Sequence, residues 1–201
     1  MTAMLPRGET IERLRTVWMG VAGRFAAYTL ALPGCPAFVC QPEVCDAHCC
    51  RAFSVSLGDR EVARMHQTSG LQPIAFLESE DGAPLTLPMA QPYLLRRADN
   101  HCAQLAGDLS CGTYAGRPNA CRLYPHFIIF IDTATGRPVA GNLPVMREAA
   151  ASLLDGEAAG RHVPLLVRHN ECPGFTGPPM DAAAWLGLFA ETYRLQFEDF
   201  P

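Results

Sequence analysis

Apolar residues at Ile11, Leu14, Val17, Trp18, Val21, Phe25 and Tyr28 recur at three- and four-residue spacing. That stripe predicts an amphipathic helix over residues 8–31, weakened by Gly20 and Gly23 and ended by Pro33-Gly34. Phe53-Ser-Val-Ser-Leu57 alternates like a short strand. Asp59 can then cap a helix running to about Thr68 and closed by Gly70. Residues 71–92 contain four prolines and read as loop with short extended pieces. Phe127-Ile-Ile-Phe-Ile131 predicts a buried strand, bounded by the turn Thr133-Ala-Thr-Gly136, with Pro138–Leu143 as its weaker returning partner. Helices are expected over 144–155 and 181–198, with a β-branched run at Val163–Val167 between them.

Composition adds boundaries to this outline. Hydrophobic residues make up 49% and charged ones 18%, a balance that can fill a core in a chain of 201 residues. A net charge of -4 gives no general electrostatic attraction to nucleic acid or an anionic membrane, so neither is an expected partner. Glu9 and Glu12 precede the first apolar residues, unlike a secretory signal. The stretch Val17–Leu32 is broken by Arg24 and falls short of a membrane span. The expected location is the cytoplasm. There the nine cysteines stay reduced and serve as ligands, nucleophiles or redox groups, and their odd number argues against a fully paired disulfide framework.

The cysteines fall into blocks. The first reads Cys35-x4-Cys40-x4-Cys45-x3-Cys49-Cys50, the second Cys102-x8-Cys111-x9-Cys121, and Cys172 stands alone before Pro-Gly. A metal site draws soft donors to one point from two or more loops, and this layout supplies them. In extended backbone Cys49 and Cys50 would face opposite ways, one towards each of two centres. Setting Cys35 aside leaves enough thiols for two four-thiolate centres. Arg51, Arg117 and Arg122 sit within the cysteine segments, where a cation favours the thiolate. His48, His101 and His126 lie near cysteines and His66, His162 and His169 elsewhere. A surface or structural role is expected for each. Pro118 fixes its own φ and steers Arg117 towards extended backbone, so the turn can present Cys121 and Arg122, with Tyr114 either packed over the site or part of the core.

The run Cys111-Gly-Thr-Tyr114-Ala-Gly-Arg117-Pro118-Asn-Ala-Cys121-Arg122-Leu-Tyr-Pro125 resembles the signature C-x2-Y-x2-R-P-x2-C-R-x2-P of the YkgJ-type cysteine-cluster family, named for zinc or iron chelation by CxxCxxCC domains. Cys40 to Cys50, then Val55-Ser-Leu57 and Glu61, are similar to its first motif, although Cys40-x4-Cys45-x3-Cys49 is looser than C-x2-C-x2-C. Cys172-Pro-Gly174 is similar to a late C-P-G element of some members. The resemblance spans residues 38–175. It implies metal chelation, with Cys40, Cys45, Cys49, Cys50, Cys102, Cys111, Cys121 and Cys172 as ligands and Tyr114, Arg117, Arg122 and Arg51 around them.

The expected fold is α+β: a mainly helical single domain over 1–201 with a small β-hairpin and cysteine-rich metal-binding loops. The 38–175 core is flanked by the helices at 8–31 and 181–198. The expected function is metal binding, with iron–sulfur ahead of zinc on cysteine number. The alternative is a redox or methyl-transfer enzyme related to the lysine N-methylase cysteine-cluster proteins. Metal ions are the expected partners. The sequence names no protein partner.

Overall fold

The computed structural model describes residues 5–198. Its helices are α1 (Gly8–Val21), α2 (His48–Ala52), α3 (Asp59–Ser69), α4 (Pro73–Phe76), α5 (Asn119–Leu123), α6 (Leu143–Leu154) and α7 (Ala182–Tyr193). Its strands are β1 (Tyr28–Leu30), β2 (Ser56–Leu57), β3 (Ser79–Glu80), β4 (Ala83–Pro84), β5 (Tyr93–Leu94), β6 (Arg97–Ala98), β7 (His101–Cys102), β8 (His126–Asp132), β9 (Arg137–Pro138) and β10 (His162–His169). The fold is therefore not the mainly helical one with a small hairpin that the sequence suggested. Helix makes up 38% and strand 20%, and the centre is a four-stranded antiparallel sheet in the order β1-β10-β8-β9.

Two features account for the difference. The run at Val163–Val167 extends into an eight-residue strand that pairs along the whole of β8, with Val163 opposite Ile131, Leu165 opposite Ile129 and Val167 opposite Phe127. The helix expected over 8–31 stops at Val21 and passes through a tight turn at Ala22–Arg24. Tyr28–Leu30 then adds a strand to the open edge of β10, with Leu30 opposite Val167. Pairing backbone groups on that edge outweighs the helical spacing of Phe25 and Tyr28. The returning strand is shorter than expected, since β9 contributes only Arg137 and Pro138 opposite Asp132 and Ile131.

Ile128 to Ile131 and Val163 to Val167 are buried without alternation, as in a sheet covered on both faces. α1 and α6 pack on β10, and α7 packs on β8. Trp185 of α7 is fully buried in this core and its Nε1 donates to the Ala31 carbonyl at 2.8 Å. Asp181 caps α7 by accepting from the Ala184 amide at 2.8 Å.

A second, smaller core contains Val55, Leu57, Met65, Phe76, Leu77, Leu95 and Cys102. α3 is its main helix. The Gly58 amide donates to Glu61 Oε2 at 2.9 Å, closing a capping box. The turn Tyr114–Gly116 lies so close to α3 that a Cβ at Gly116 would sit 2.0 Å from Thr68 Oγ1 and 3.2 Å from Met65 Cα. Cys50 and Cys121 pack against this core, which thereby carries the cysteine segments. Among the described residues no helix is long and apolar enough to cross a membrane.

Trp185→Ala removes a fully buried side chain and a buried hydrogen bond of the first core. A loss of about 3–5 kcal/mol of unfolding free energy in urea is expected. A loss below about 1 kcal/mol would show that Trp185 does not anchor α7 to the sheet.

Candidate metal centre

Cys35 belongs to the first core. It packs there through its side chain, while its carbonyl accepts from the Met180 amide at 2.9 Å. The other eight cysteines lie on segments that meet at one end of the sheet. Cys40 is exposed on an irregular segment, next to Val39, whose amide donates to the Gly174 carbonyl at 2.7 Å. The fit there is close, since a Cβ at Gly174 would lie 2.6 Å from both the Phe38 ring and the Val39 carbonyl oxygen. Cys45 follows a turn at Pro42, and Ala47, at φ 58, starts α2.

Cys49 and Cys50 therefore lie on a helix and not in extended backbone. Their side chains diverge by about 100° about its axis instead of pointing opposite ways. Their sulfurs are 3.9 Å apart. Cys102 is on β7 opposite Arg97, Cys111 bridges to Leu105, Cys121 is on α5, and Cys172 follows β10.

Their electrostatics show how closely they are gathered. The Cys50 thiol lies between two neighbours, and its single proton, shared with one or the other, holds the Cys49 and Cys102 sulfurs down to about 7. Cys50 itself is pushed far up, first by Cys102 and then by Cys49. Burial pushes Cys121 up to about 12, reinforced by Cys102, Cys111 and Cys49 and opposed by Arg117. Burial also raises Cys40, with Cys49 and Cys45 adding to it, and raises Cys172, with Cys45, Cys40 and Cys49 adding to it. Cys50 thus resists ionising because of the sulfurs beside it, and Cys40, Cys121 and Cys172 do so first through burial and then through their neighbours. A set of thiols in that condition fits a metal cation, which supplies the missing positive charge. As placed, no three His, Cys, Asp or Glu side chains among the described residues are close enough together to hold a metal ion. The donors are gathered but not closed into a shell.

Six of the eight thiols, those of Cys40, Cys49, Cys50, Cys102, Cys111 and Cys121, line a cavity of about 860 Å³ together with Tyr114 and Arg117. The Arg117 guanidinium carbon stands 3.7 Å from the centre of the Tyr114 ring. No carboxylate pairs with Arg117 among the described residues. Its charge lowers Cys49, Cys40 and Cys121 instead. The other two arginines expected around the ligands turn away: Arg122 pairs with Glu191 at 3.1 Å, and Arg51 donates to the Asp46 carbonyl at 2.7 Å.

Several residues at the site were not legible in the spacing. Arg97 clamps α2, donating to the carbonyls of Cys50 at 3.4 Å, Arg51 at 2.7 Å and Phe53, and to that of Asn100 at 2.6 Å. The signal for it was the Asp99-Asn100 pair, both at positive φ, which turns β6 into β7. His169, far from the cysteine blocks in sequence, forms a four-ring cluster with His48, Phe53 and Tyr124, whose centroids are 5.3 to 6.3 Å apart. Burial, then the charges of Cys172, Cys49 and Cys45, push the Tyr124 hydroxyl upward. His126 is buried and held down to about 4 by burial and by Arg168, so it is neutral. His101 turns its Nδ1 to the Cys102 carbonyl at 2.9 Å.

The model of a domain family described as "Putative zinc- or iron-chelating domain" (CxxCxxCC) matches residues 39–142, more than half of the 201-residue chain. No curated protein and no solved structure matches the chain. The chain belongs to the CxxCxxCC family.

The thiol electrostatics predict a titration. In reduced, metal-free protein, the thiolate absorbance near 240 nm should begin to rise as pH passes through 7, from the coupled pair Cys49 and Cys102. A flat absorbance up to about pH 8 would contradict the hydrogen-bonded arrangement around Cys50.

Proposed function

We propose that this member of the CxxCxxCC family holds two four-thiolate metal centres, one on Cys40, Cys45, Cys49 and Cys172 and one on Cys50, Cys102, Cys111 and Cys121. The observation that carries the division is the position of the vicinal pair. Cys50 interacts first with Cys102, which in turn neighbours Cys121. Cys49 is the sulfur that raises Cys40 most, and Cys172 has Cys45, Cys40 and Cys49 around it, while Cys49 also lies near Cys102 and Cys121. Side chains that diverge on one helix can each join a different set.

The filling is an iron–sulfur cluster or zinc. Eight thiols and no histidine turned to a shared point favour iron–sulfur, since a zinc staple needs four donors. Zinc there would supply a structural cross-link, and an iron–sulfur cluster would supply one-electron transfer. Arg117 and Tyr114 would offset and cover the thiolate charge on the cavity side. Tyr124, whose buried hydroxyl lies against Cys172, can donate to its thiolate. A protein of this kind uses its metals for structure, electron transfer or metal handling.

The second reading, a redox or methyl-transfer enzyme, draws on the cavity. Its wall continues past the thiols to Val55, Leu95, Leu123 and Phe127 and leaves space for an organic molecule. Thiols that react with an alkylating probe while all metal stays bound would favour it over simple chelation.

Anaerobic purification with metal and acid-labile sulfide counted per chain tests the main reading. Two metal centres per chain are expected, with sulfide and visible absorption for iron–sulfur and neither for zinc. One metal ion per chain and no sulfide would refute the two-centre assignment. Cys121→Ser should lower both metal content and thermal stability, and full occupancy in that variant would remove Cys121 from the ligand set.

A further inference from the structure

The two sets of ligands are braced very differently. Cys50 and Cys102 face each other across a framework pinned by Arg97, whose guanidinium bonds four carbonyls between Cys50 and Asn100. Cys121 sits on α5, and the first amide of that helix, Asn119, donates to the buried Glu61 carboxylate at 2.6 Å. Arg64 adds bonds to the Arg117 carbonyl and to Asn119 Oδ1, each at 2.9 Å. Cys50, Cys102 and Cys121 all contact the second core.

The loop of Cys40 and Cys45 is held at its flanks, by the Val39 amide on the Gly174 carbonyl and by Arg51 on the Asp46 carbonyl, but not between them. Residues 37–47 form no helix or strand. From Cys40 to Cys45 the amides bond only within the loop, Val44 to Gln41 at 3.3 Å and Cys45 to Pro42 at 3.4 Å. Cys40 alone among the cysteines is exposed. Segments with exposed ligands and few backbone bonds to the rest of the fold open locally at low cost, whereas buried and braced ones open rarely.

Resting on the two-centre reading, we infer that the centres differ in kind. The one on Cys50, Cys102, Cys111 and Cys121 retains its metal as a permanent brace. The one on Cys40, Cys45, Cys49 and Cys172 is the exchange site through which metal enters and leaves the protein. With a single ion such as zinc in that site, exchange would be a ligand substitution with no change of oxidation state: the metal–Cys40 bond would break, an incoming donor would take the vacated position, and the freed Cys40 thiolate would take a proton from water.

Metal per chain is measured first on the purified, metal-loaded full-length protein, which is then mixed with excess 4-(2-pyridylazo)resorcinol while the coloured complex is followed. Half of the metal should leave roughly tenfold or more faster than the other half. Cys40→Ser, at an exposed position, should abolish the fast half and leave the slow half and the circular dichroism spectrum unchanged. Cys45→Ser should behave the same way and serves if the first variant does not fold. Glu61→Gln should quicken only the slow half. Two centres leaving at one rate, or a fast half that survives in both cysteine variants, would overturn the exchange assignment and leave the two-centre reading standing. One metal per chain before any chelator is added would overturn the two-centre reading itself.

Discussion

Eight thiols brought together from three stretches of chain cannot all carry charge without a cation among them. The other features of the site follow from that constraint. The sulfurs of Cys49 and Cys102 are held low first by Cys50 beside them, with Arg117 aiding Cys49 and the Gln104 amide and Arg97 aiding Cys102, and burial with neighbouring thiolates pushes Cys121 upward. The Arg117 guanidinium, which no carboxylate pairs with among the described residues, faces this group, and Arg97 acts on Cys102. Metal binding would release the remaining protons and convert mutual repulsion into shared coordination. The family to which the chain belongs is described as chelating zinc or iron, in agreement with the donor set.

The protein meets the constraint by placing the thiols against rigid elements. The small core of Leu57, Met65, Phe76 and Leu95 lies under Cys50, Cys102 and Cys121. Glu61 and Arg64 on one helix hold the Arg117-Pro118-Asn119 turn from the side, and Arg97 holds α2 from its C-terminal end. Buried charged groups are costly unless every lone pair and proton is engaged, and Glu61 accepts from the Gly58, Asn119 and Gln91 nitrogens. Their use here suits a role in fixing geometry more than in adding stability.

The sequence made the cysteine blocks and the family signature readable and the frame only partly so. The run from Cys111 to Pro125 carries its own signature, and the helices near 144–155 and 181–198 lie close to where their spacing put them. Tyr28 was misplaced because Phe25 and Tyr28 continue a helical stripe, while the edge of β10 that captures them lies far away in sequence. The vicinal cysteines looked extended because nothing local signals a helix of five residues that starts from Ala47 at positive φ. His169 was invisible for the same reason: it acts through contacts with residues that only the tertiary fold brings near.

The register between β8 and β10 has a consequence for mechanics. His126 pairs with Arg168, so the two central strands finish side by side at one end. The chain enters β8 directly from the segment bearing Cys121 and leaves β10 directly into the loop bearing Cys172. Metals at that end would act as a clasp on the two central strands of the sheet, while the opposite end is closed by the turn at Thr133–Gly136 and by the Arg161–Asp132 pair at 2.6 Å. A demetallated molecule would consequently fray from the clasped end inward, and the sheet would come apart directionally, like a zipper with its slider removed.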